Sequence, residues 1–348
     1  MIVTLSPIRT TSSTLERPMP ALRLAHCLLL IIAFTVSPLA ASTALAQLHV
    51  GLNQGLSMQY DGETRTYAVL RPLDSVGTAA PLVVDLHGFT SDAAQQRGIS
   101  NWDVVGEANG ILVVWPNGLN NSWNGGTCCG QSMADDVDDV GFIRALVALI
   151  QSQVQVDPGR IYVTGLSNGG AMTQRLACEA ADLFAAAAPM AYPTPYGDFA
   201  AECNASESIP VLTFFGLTDV LVSYAGAAPS FAEWRDENGC DSGGPAPEVS
   251  EIYGGSDCQI DTSCSDAGVE VGLCSVTGTA FQDPPLNAFS GHILYLNDDA
   301  FDITQRAWDF MKVQRRAVAV PVVGVPWVVG GALGLLGARR LVRRGRLR

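Results

Sequence analysis

The stretch that decides the fold is DPGRIYVTGLSNGG, residues 157–170. In it an apolar segment, residues 161–164, is followed at once by the motif GLSNG at 165–169 and then by a helical pattern over 168–179. A tight strand-to-helix turn lifts a serine hydroxyl above the edge of a sheet, and the two glycines relieve crowding there. We therefore predict that Ser167 is a nucleophile, the alternative being a serine that only caps the helix.

Apolar segments alternate with helical patterns on both sides of this turn. Strands are predicted at 64–70, 81–86, 111–115, 161–164, 184–190, 210–215 and 269–276, and several are too apolar to have a solvated face. Helices are predicted at 140–156, 168–179 and 302–313. This alternation indicates the α/β class, with a mostly parallel, doubly wound sheet. The Gly-, Ser- and Asp-rich stretch 236–266, within a segment of about 224–290, is interpreted as an insertion or lid.

Composition excludes some classes of protein. The chain has 348 residues, of which 48% are hydrophobic and 16% charged, so it is not disordered and has ample material for a buried core. Residues 47–311 hold 33 acidic residues against 8 arginines. Because so acidic a body repels a phosphate backbone, we expect no nucleic-acid partner.

The amino-terminal 46 residues have the pattern of a signal peptide. Three arginines precede an apolar run at 27–36, and Ala44-Leu45-Ala46 offers the small residues of a secretory cleavage site. Cleavage there would make Gln47 the first residue, and the predicted catalytic domain is 47–311. An uncleaved amino-terminal anchor is the alternative, although the apolar run is short for a membrane span.

The carboxy-terminal segment, 312–348, has the pattern of a membrane anchor. Residues 317–338 carry no charge, and six arginines follow them, which predicts a transmembrane helix with its basic end in the cytoplasm. A buried core helix is the alternative. The layout resembles bacterial sorting signals of the Pro-Glu-Pro type, with Val320-Pro321 and Val325-Pro326 but no Pro-Glu-Pro. We expect export to the cell surface, periplasm or medium, with a sorting protease as a partner or a plain inner-membrane anchor.

The cysteines agree with export. After loss of Cys27, eight remain, an even number that favours disulfides in an oxidising compartment: Cys128, Cys129, Cys178, Cys203, Cys240, Cys258, Cys264 and Cys274. We expect the adjacent Cys128 and Cys129 to have different partners, and the last four to staple a loop region. A zinc site is the alternative, but no C-x-x-C is present, and no metal is expected.

A serine nucleophile needs a base, and the chain has only four histidines. His26 lies in the signal peptide, His49 lies near the mature amino terminus, and His87 ends a strand, where a histidine more often braces a turn. His292 follows the apolar strand 269–276, where a loop histidine at the sheet edge is expected. We predict His292 as the base, with a structural histidine as the alternative.

The acid of such a triad is expected between the serine and the histidine, beyond a strand. Asp219 closely follows the strand 210–215 and is the predicted acid, against an aspartate that only forms a turn. Asp298 and Asp299 are held in reserve, since they follow His292 and break this order.

The oxyanion of acyl transfer needs backbone donors. We predict the N–H of Asn168, directly after the serine, and the N–H of Phe89 in the loop after strand 81–86, with Thr90 as the next choice and as a substrate-binding residue. Trp123 is predicted to be a substrate platform, or else to pack against the loop of Cys128 and Cys129.

Several motifs together resemble the poly(3-hydroxybutyrate) depolymerase, feruloyl esterase and acetylxylan esterase group of α/β-hydrolases, from residue 62 to residue 310. They are DDVGF at 138–142, DPGRIYVTGLSNGG at 157–170, WPNG at 115–118, SWN at 122–124 and CCG at 128–130. The resemblance implies an α/β-hydrolase fold and a serine esterase that needs no cofactor. Two departures lie in the substrate wall: Phe215-Gly216 replaces the usual His-Gly, and residues 277–289 are inserted before His292.

The expected substrate is an ester, most simply a hydroxybutyrate polyester or its oligomers. Feruloylated or acetylated plant polysaccharide is the alternative substrate. A catalytically silent, surface-anchored binding protein and an acyltransferase or peptidase with the same triad are the alternative functions.

Overall fold

The computed structural model describes residues 47–318 except 204, 241–247 and 267. The predicted signal peptide lies outside the described residues, and so does all of the predicted membrane helix and tail beyond residue 318. No helix in the described part of the chain is long and apolar enough to cross a membrane.

Ten strands form one sheet, in the spatial order β1-β2-β4-β3-β5-β6-β7-β10-β9-β8. They are β1 (Gly51–Tyr60), β2 (Glu63–Arg71), β3 (Ala80–Leu86), β4 (Leu112–Pro116), β5 (Val156–Leu166), β6 (Ala186–Met190), β7 (Val211–Gly216), β8 (Glu248–Tyr253), β9 (Ser256–Asp261) and β10 (Val271–Val276). The six strands from β4 to β10 in this order pair in parallel, whereas the edges pair antiparallel. The predicted mostly parallel sheet is confirmed.

Helices cover both faces of this sheet. They are α1 (Ala93–Ser100), α2 (Trp102–Asn109), α3 (Gly130–Ala134), α4 (Asp139–Gln153), α5 (Asn168–Glu179), α6 (Phe199–Glu202), α7 (Ala227–Glu237) and α8 (Ile303–Met311). On β3, Leu82, Val84 and Leu86 pack into the core that contains α4, α5 and α7, while Val83 packs into the core that contains α1, α2 and α8. This alternation makes the sheet doubly wound, and it explains why β3 has no exposed residue.

The segment 224–290, predicted to be an insertion or lid, contains regular secondary structure. Its described part supplies α7 and the strands β8, β9 and β10, and β10 pairs in parallel with β7 over Val271–Val276. The insertion therefore extends the central sheet, and its helix α7 packs on one face of that sheet. The predicted helix 140–156 is also shorter, because the chain turns after Gln153 and Val156 already begins β5.

Four disulfides link the eight cysteines: Cys128–Cys129, Cys178–Cys203, Cys240–Cys264 and Cys258–Cys274. The expectation of a stapled region between Cys240 and Cys274 is confirmed. The expectation that Cys128 and Cys129 have different partners was wrong, since the other six cysteines pair among themselves. Within the described ranges, no group of three His, Cys, Asp or Glu side chains is placed to hold a metal ion.

A buried ion pair joins the start of α4 to β2. The Arg65 guanidinium donates to Asp139 at 2.7 Å, both side chains are at most 1% exposed, and the guanidinium carbon lies 3.6 Å from the centre of the Phe142 ring. The second Asp139 oxygen accepts the backbone N–H of Asn124 at 2.8 Å. Because both charges are buried, removal of one leaves the other without its ion-pair partner.

We expect Asp139→Asn to lower the free energy of unfolding by about 3–5 kcal/mol, because it leaves the Arg65 charge buried and unpaired. The measurement is urea unfolding of the full chain. The matched control is Asp182→Asn, which breaks the exposed Arg144–Asp182 pair and should cost less than about 1 kcal/mol. Equal losses in the two variants would contradict the prediction.

Candidate active site

Ser167 occupies a strained turn between β5 and α5. Its φ is +59° and its ψ is −119°, a conformation that residues with a side chain rarely adopt, and its N–H donates to the Met190 carbonyl at 2.9 Å. A Cβ at Gly169 would overlap the carbonyl oxygen of Leu86, so only glycine lets α5 begin this close to β3. The turn thus has the geometry that the GLSNG motif predicts.

Asp219 and His292 are in direct contact. The carboxylate Oδ2 lies 2.7 Å from Nδ1 of His292, and both side chains are at most 5% exposed. The second oxygen, Oδ1, accepts the backbone N–H groups of Leu221 and Val222 at 2.8 Å each. A carboxylate held in this way favours the tautomer with its proton on Nδ1, which leaves Nε2 available to accept a proton.

Three glycines allow this contact. A Cβ at Gly216, the last residue of β7, would overlap the carbonyl oxygen of Gly291, and a Cβ at Gly278 would overlap the Cα of Gly291. At Gly291 itself φ is +70°, and a Cβ would lie 2.5 Å from the Thr218 carbonyl oxygen. The loop before His292 therefore touches the turn after β7 backbone to backbone, which brings the imidazole to Asp219.

Ser167, Asp219 and His292 follow β5, β7 and β10, whose carboxyl ends lie at one edge of the sheet. Among the described residues the Ser167 hydroxyl has no hydrogen-bond partner. The two alternative acids form hydrogen bonds in other loops. Asp298 accepts one from the Thr279 hydroxyl at 3.0 Å, and Asp299 accepts one from the Ser256 hydroxyl at 2.6 Å.

The loop after β3 lies beside the serine. A Cβ at Gly88 would lie 3.5 Å from the Ser167 Cβ. The Thr90 N–H donates to the Asn121 carbonyl at 2.8 Å and is not available as an oxyanion donor, whereas the Phe89 N–H has no partner in the described part of the chain. Asn168 is the first residue of α5, where the N–H has no acceptor inside the helix.

His87 braces this loop. Its ring is fully buried, Nδ1 lies 2.7 Å from the Gly88 carbonyl, and Nε2 accepts the N–H of Gly118 at 3.0 Å. Burial lowers the pKa of His87 to about 4, against the raising effect of the Gly88 hydrogen bond. Both ring nitrogens are occupied, so His87 is a neutral structural group.

Trp123 does not lie where a substrate could reach it. The side chain is 0% exposed, its indole N–H donates to the His87 carbonyl at 3.0 Å, and its ring stacks on Phe142. Its backbone N–H donates to the Asn168 side chain at 2.7 Å. This burial corrects the predicted role as a substrate platform. The Cys129 N–H donates to the Trp123 carbonyl at 3.4 Å, in agreement with the alternative that Trp123 packs against the loop of Cys128 and Cys129.

Asp85 is a site-proximal residue that sequence reasoning missed. It is 0% exposed on β3, and its two oxygens accept the Gln96 amide at 2.7 Å and the Trp115 indole N–H at 2.9 Å. Burial raises the pKa of Asp85 to about 7, and the hydrogen bonds only partly oppose that rise. The available signal was an aspartate inside the otherwise apolar strand 81–86.

Comparison with known proteins finds relatives that are named as esterases and depolymerases. A protein named feruloyl esterase B from Piromyces equi is 33% identical over 225 residues, 58% of this chain and 39% of that protein. Poly(3-hydroxyalkanoate) depolymerase C from Paucimonas lemoignei is 32% identical over 55% of this chain and 44% of that protein. The resemblance to this group is confirmed. The profile of the prolyl oligopeptidase family also matches residues 108–194. The chain spans less than half the length of these two relatives.

Solved structures confirm the α/β-hydrolase fold. An acetyl xylan esterase from Aspergillus awamori matches with a TM-score of 0.55 and 17% identity, over 71% of this chain and 94% of that one. A thermostable esterase matches with a TM-score of 0.50 and 19% identity, over 75% and 63% of the two chains. Identities this low support the fold only.

Replacement of Gly291 should disturb the site's backbone contact. At φ +70° an alanine is strained by about 1–2 kcal/mol, and overlap of its Cβ with Thr218 should add about 1–3 kcal/mol. Gly77→Ala is the matched control, because Gly77 has φ +77° but nothing within 4 Å of the added Cβ. Denaturant unfolding of both variants measures the difference; equal destabilisation would show that the Gly291 contact is not rigid.

Asp85 should make stability depend on pH. The pKa of Asp85 is raised from 3.8 to about 7 in the folded chain. Its contribution to the free energy of unfolding is therefore fully present below about pH 4 and is lost as pH rises to about 7. We expect the free energy of unfolding of the wild type, minus that of Asp85→Asn, to fall by a few kcal/mol (order of magnitude) across this window. Other carboxylates cancel in the difference. A constant difference from pH 4 to 8 would contradict the raised pKa.

Proposed function

We propose that the chain is an exported serine esterase that hydrolyses carboxylic esters through Ser167, His292 and Asp219. The observation that carries this proposal is the 2.7 Å contact between Asp219 and His292 at the sheet edge that also bears the strained Ser167 turn. The proposal is also supported by relatives: over more than half of its length, the chain is similar to proteins named as esterases and depolymerases.

The proposed reaction uses groups of this chain only. Nε2 of His292 accepts the Ser167 proton as the hydroxyl oxygen attacks the ester carbonyl, and Asp219 stabilises the imidazolium that forms. The backbone N–H groups of Asn168 and Phe89 hold the oxyanion. His292 then gives the proton to the leaving alcohol, and water, activated in the same way, clears the acyl-enzyme.

Exposed apolar side chains on the site's loops favour an apolar substrate. Phe89 is 48% exposed, and similar side chains flank Asp219 and precede His292. They are Leu217, Val220, Leu221, Leu286 and Phe289. Apolar side chains concentrated at one edge suit a polyester or its oligomers better than a polysaccharide, which presents hydroxyl groups. Thr90, exposed beside Phe89, supplies the proposed polar contact to substrate.

A feruloyl esterase is the second candidate. It is favoured by the 33% identity with the Piromyces equi protein of that name. Its aromatic acid would lie against the same exposed apolar side chains.

Export is proposed from the two ends of the chain and from the disulfides. Four disulfides are typical of an oxidising compartment. The signal-peptide pattern of 1–46 would provide the export route. The apolar and arginine-rich pattern of 312–348 would provide contact with the membrane or with a sorting protease. Cell fractionation with an antibody tests this, and a purely cytoplasmic location would overturn it.

Turnover by the purified full chain tests the activity. We expect hydrolysis of soluble 3-hydroxybutyrate oligomers in preference to methyl ferulate, and a loss of about 10³-fold or more in Ser167→Ala, because the nucleophile is removed. The matched control is Ser152→Ala, which removes an exposed serine hydroxyl from the end of α4 and should leave turnover unchanged.

The other outcomes separate the alternatives. A preference for ferulate would assign the second candidate. Absence of both turnover and Ser167 labelling by a fluorophosphonate would overturn the enzyme and support a silent binding protein. Ester formed with an added alcohol would identify an acyltransferase, and cleavage of peptides instead of esters would identify a peptidase.

A further inference from the structure

A buried polar cluster lies on the face of the sheet that α1, α2 and α8 cover. It contains Asp85 of β3, Gln96 of α1 and Trp115 of β4, joined by hydrogen bonds of 2.7 and 2.9 Å to the Asp85 carboxylate. The surrounding core is apolar, so this cluster costs desolvation energy that hydrocarbon side chains would avoid. Neither the proposed proton transfer nor the oxyanion uses any of these three residues.

The loop that carries His292 reaches into this cluster through Tyr295. The Tyr295 hydroxyl lies 3.4 Å from the Gln96 amide nitrogen, the same nitrogen that donates to Asp85. Burial, and then the nearby Asp85, raise the pKa of Tyr295 well above its usual value, so the hydroxyl stays protonated. Leu294, directly before it, is fully buried.

We propose that Tyr295 is a positioning residue for His292, held by Gln96 and Asp85. The loop is attached on the β7 side by Gly291 and by Ser290, whose carbonyl accepts the Val220 N–H at 3.2 Å. Tyr295 attaches it on the β3 side, and His292 lies between the two attachments along the chain. This inference rests on the proposed function, since it matters only if His292 is the base.

The two attachments hold the loop on either side of His292, whereas Asp219 holds one atom of the ring itself. Asp219 holds Nδ1 of the imidazole, but a ring held at one nitrogen can still swing its Nε2 away from Ser167. Attachment of the chain on both sides of His292 restricts that swing. Because proton transfer needs the acceptor within hydrogen-bond reach, a small displacement of the ring lowers the rate of the chemical step more than it lowers substrate binding.

One further observation favours a role beyond packing. Gln96 Oε1 is buried and has no hydrogen-bond partner in the described part of the chain. Polar groups that are left partly unsatisfied do not improve the stability of a core. A cluster that costs stability and contacts the loop of the proposed base is a candidate for a functional role.

Tyr295→Phe in the full chain tests the inference, because it removes only the hydroxyl. We expect kcat on 3-hydroxybutyrate oligomers, or on methyl ferulate if that is the better substrate, to fall by about tenfold. The fluorophosphonate labelling rate of Ser167 should fall alike, while KM changes less than about twofold. The matched control is Tyr162→Phe, which removes another buried hydroxyl, bonded to the Gln314 carbonyl at 2.9 Å. It should lower Tm without changing kcat.

Gln96→Leu is the second variant, and it keeps the test valid if Tyr295→Phe folds poorly. It should lower kcat by a similar factor, and the double variant should lose little more, because both substitutions break one attachment. The inference would be overturned if both single variants kept the kcat and the labelling rate of the wild type, or if only KM changed. Absence of Ser167-dependent turnover in the wild type would overturn the proposed function and this inference with it.

Discussion

The site depends on a contact between two backbone segments, Gly216 against Gly291. A side chain at either position would push the His292 loop away from the turn after β7. Because Asp219 lies three residues beyond Gly216 and His292 directly follows Gly291, this contact sets the distance between the carboxylate and the imidazole. Backbone atoms cannot move aside as a flexible side chain can, so the geometry of the pair follows from the main chain.

Support for the serine comes from a second, buried layer. The Asn168 side chain accepts from and donates to the Trp123 backbone, and the Trp123 indole donates to the carbonyl of His87. His87 in turn holds the loop that carries Phe89. The same layer continues to the Arg65–Asp139 pair through the Asn124 backbone. The residues that would donate to an oxyanion are thus held by groups that substrate never touches, which is how a preorganised site is supported.

The insertion contributes to the site by extending the sheet. It supplies β10, which pairs in parallel with β7 and delivers the chain to His292. Cys258–Cys274 ties β9 to β10 at directly opposed positions. Residues 277–289, which follow β10, include Leu286 and Phe289, whose side chains are exposed shortly before the proposed base, His292.

The sequence by itself determined what local chemistry and chain order decide. The Ser167 turn is a local strand-to-helix structure. His292 is the proposed base because the chain has only four histidines, and Asp219 is the proposed acid because of its place after an apolar strand. The central parallel strands could be predicted from their apolar runs, because each strand is buried on both faces of the sheet.

Tertiary structure alone decided the rest, because burial and pairing depend on residues far apart in the chain. An aromatic side chain such as Trp123 has the same sequence pattern whether it lines a cleft or packs beneath it. Cys128 and Cys129 are left to pair with each other because the other six cysteines have partners elsewhere in the chain. The recruitment of 224–290 into the sheet and the meeting of Asp85 with Tyr295, 210 residues later, follow from long-range packing. That packing leaves no periodic signal in the sequence, since it is set by which surfaces the folded chain brings together.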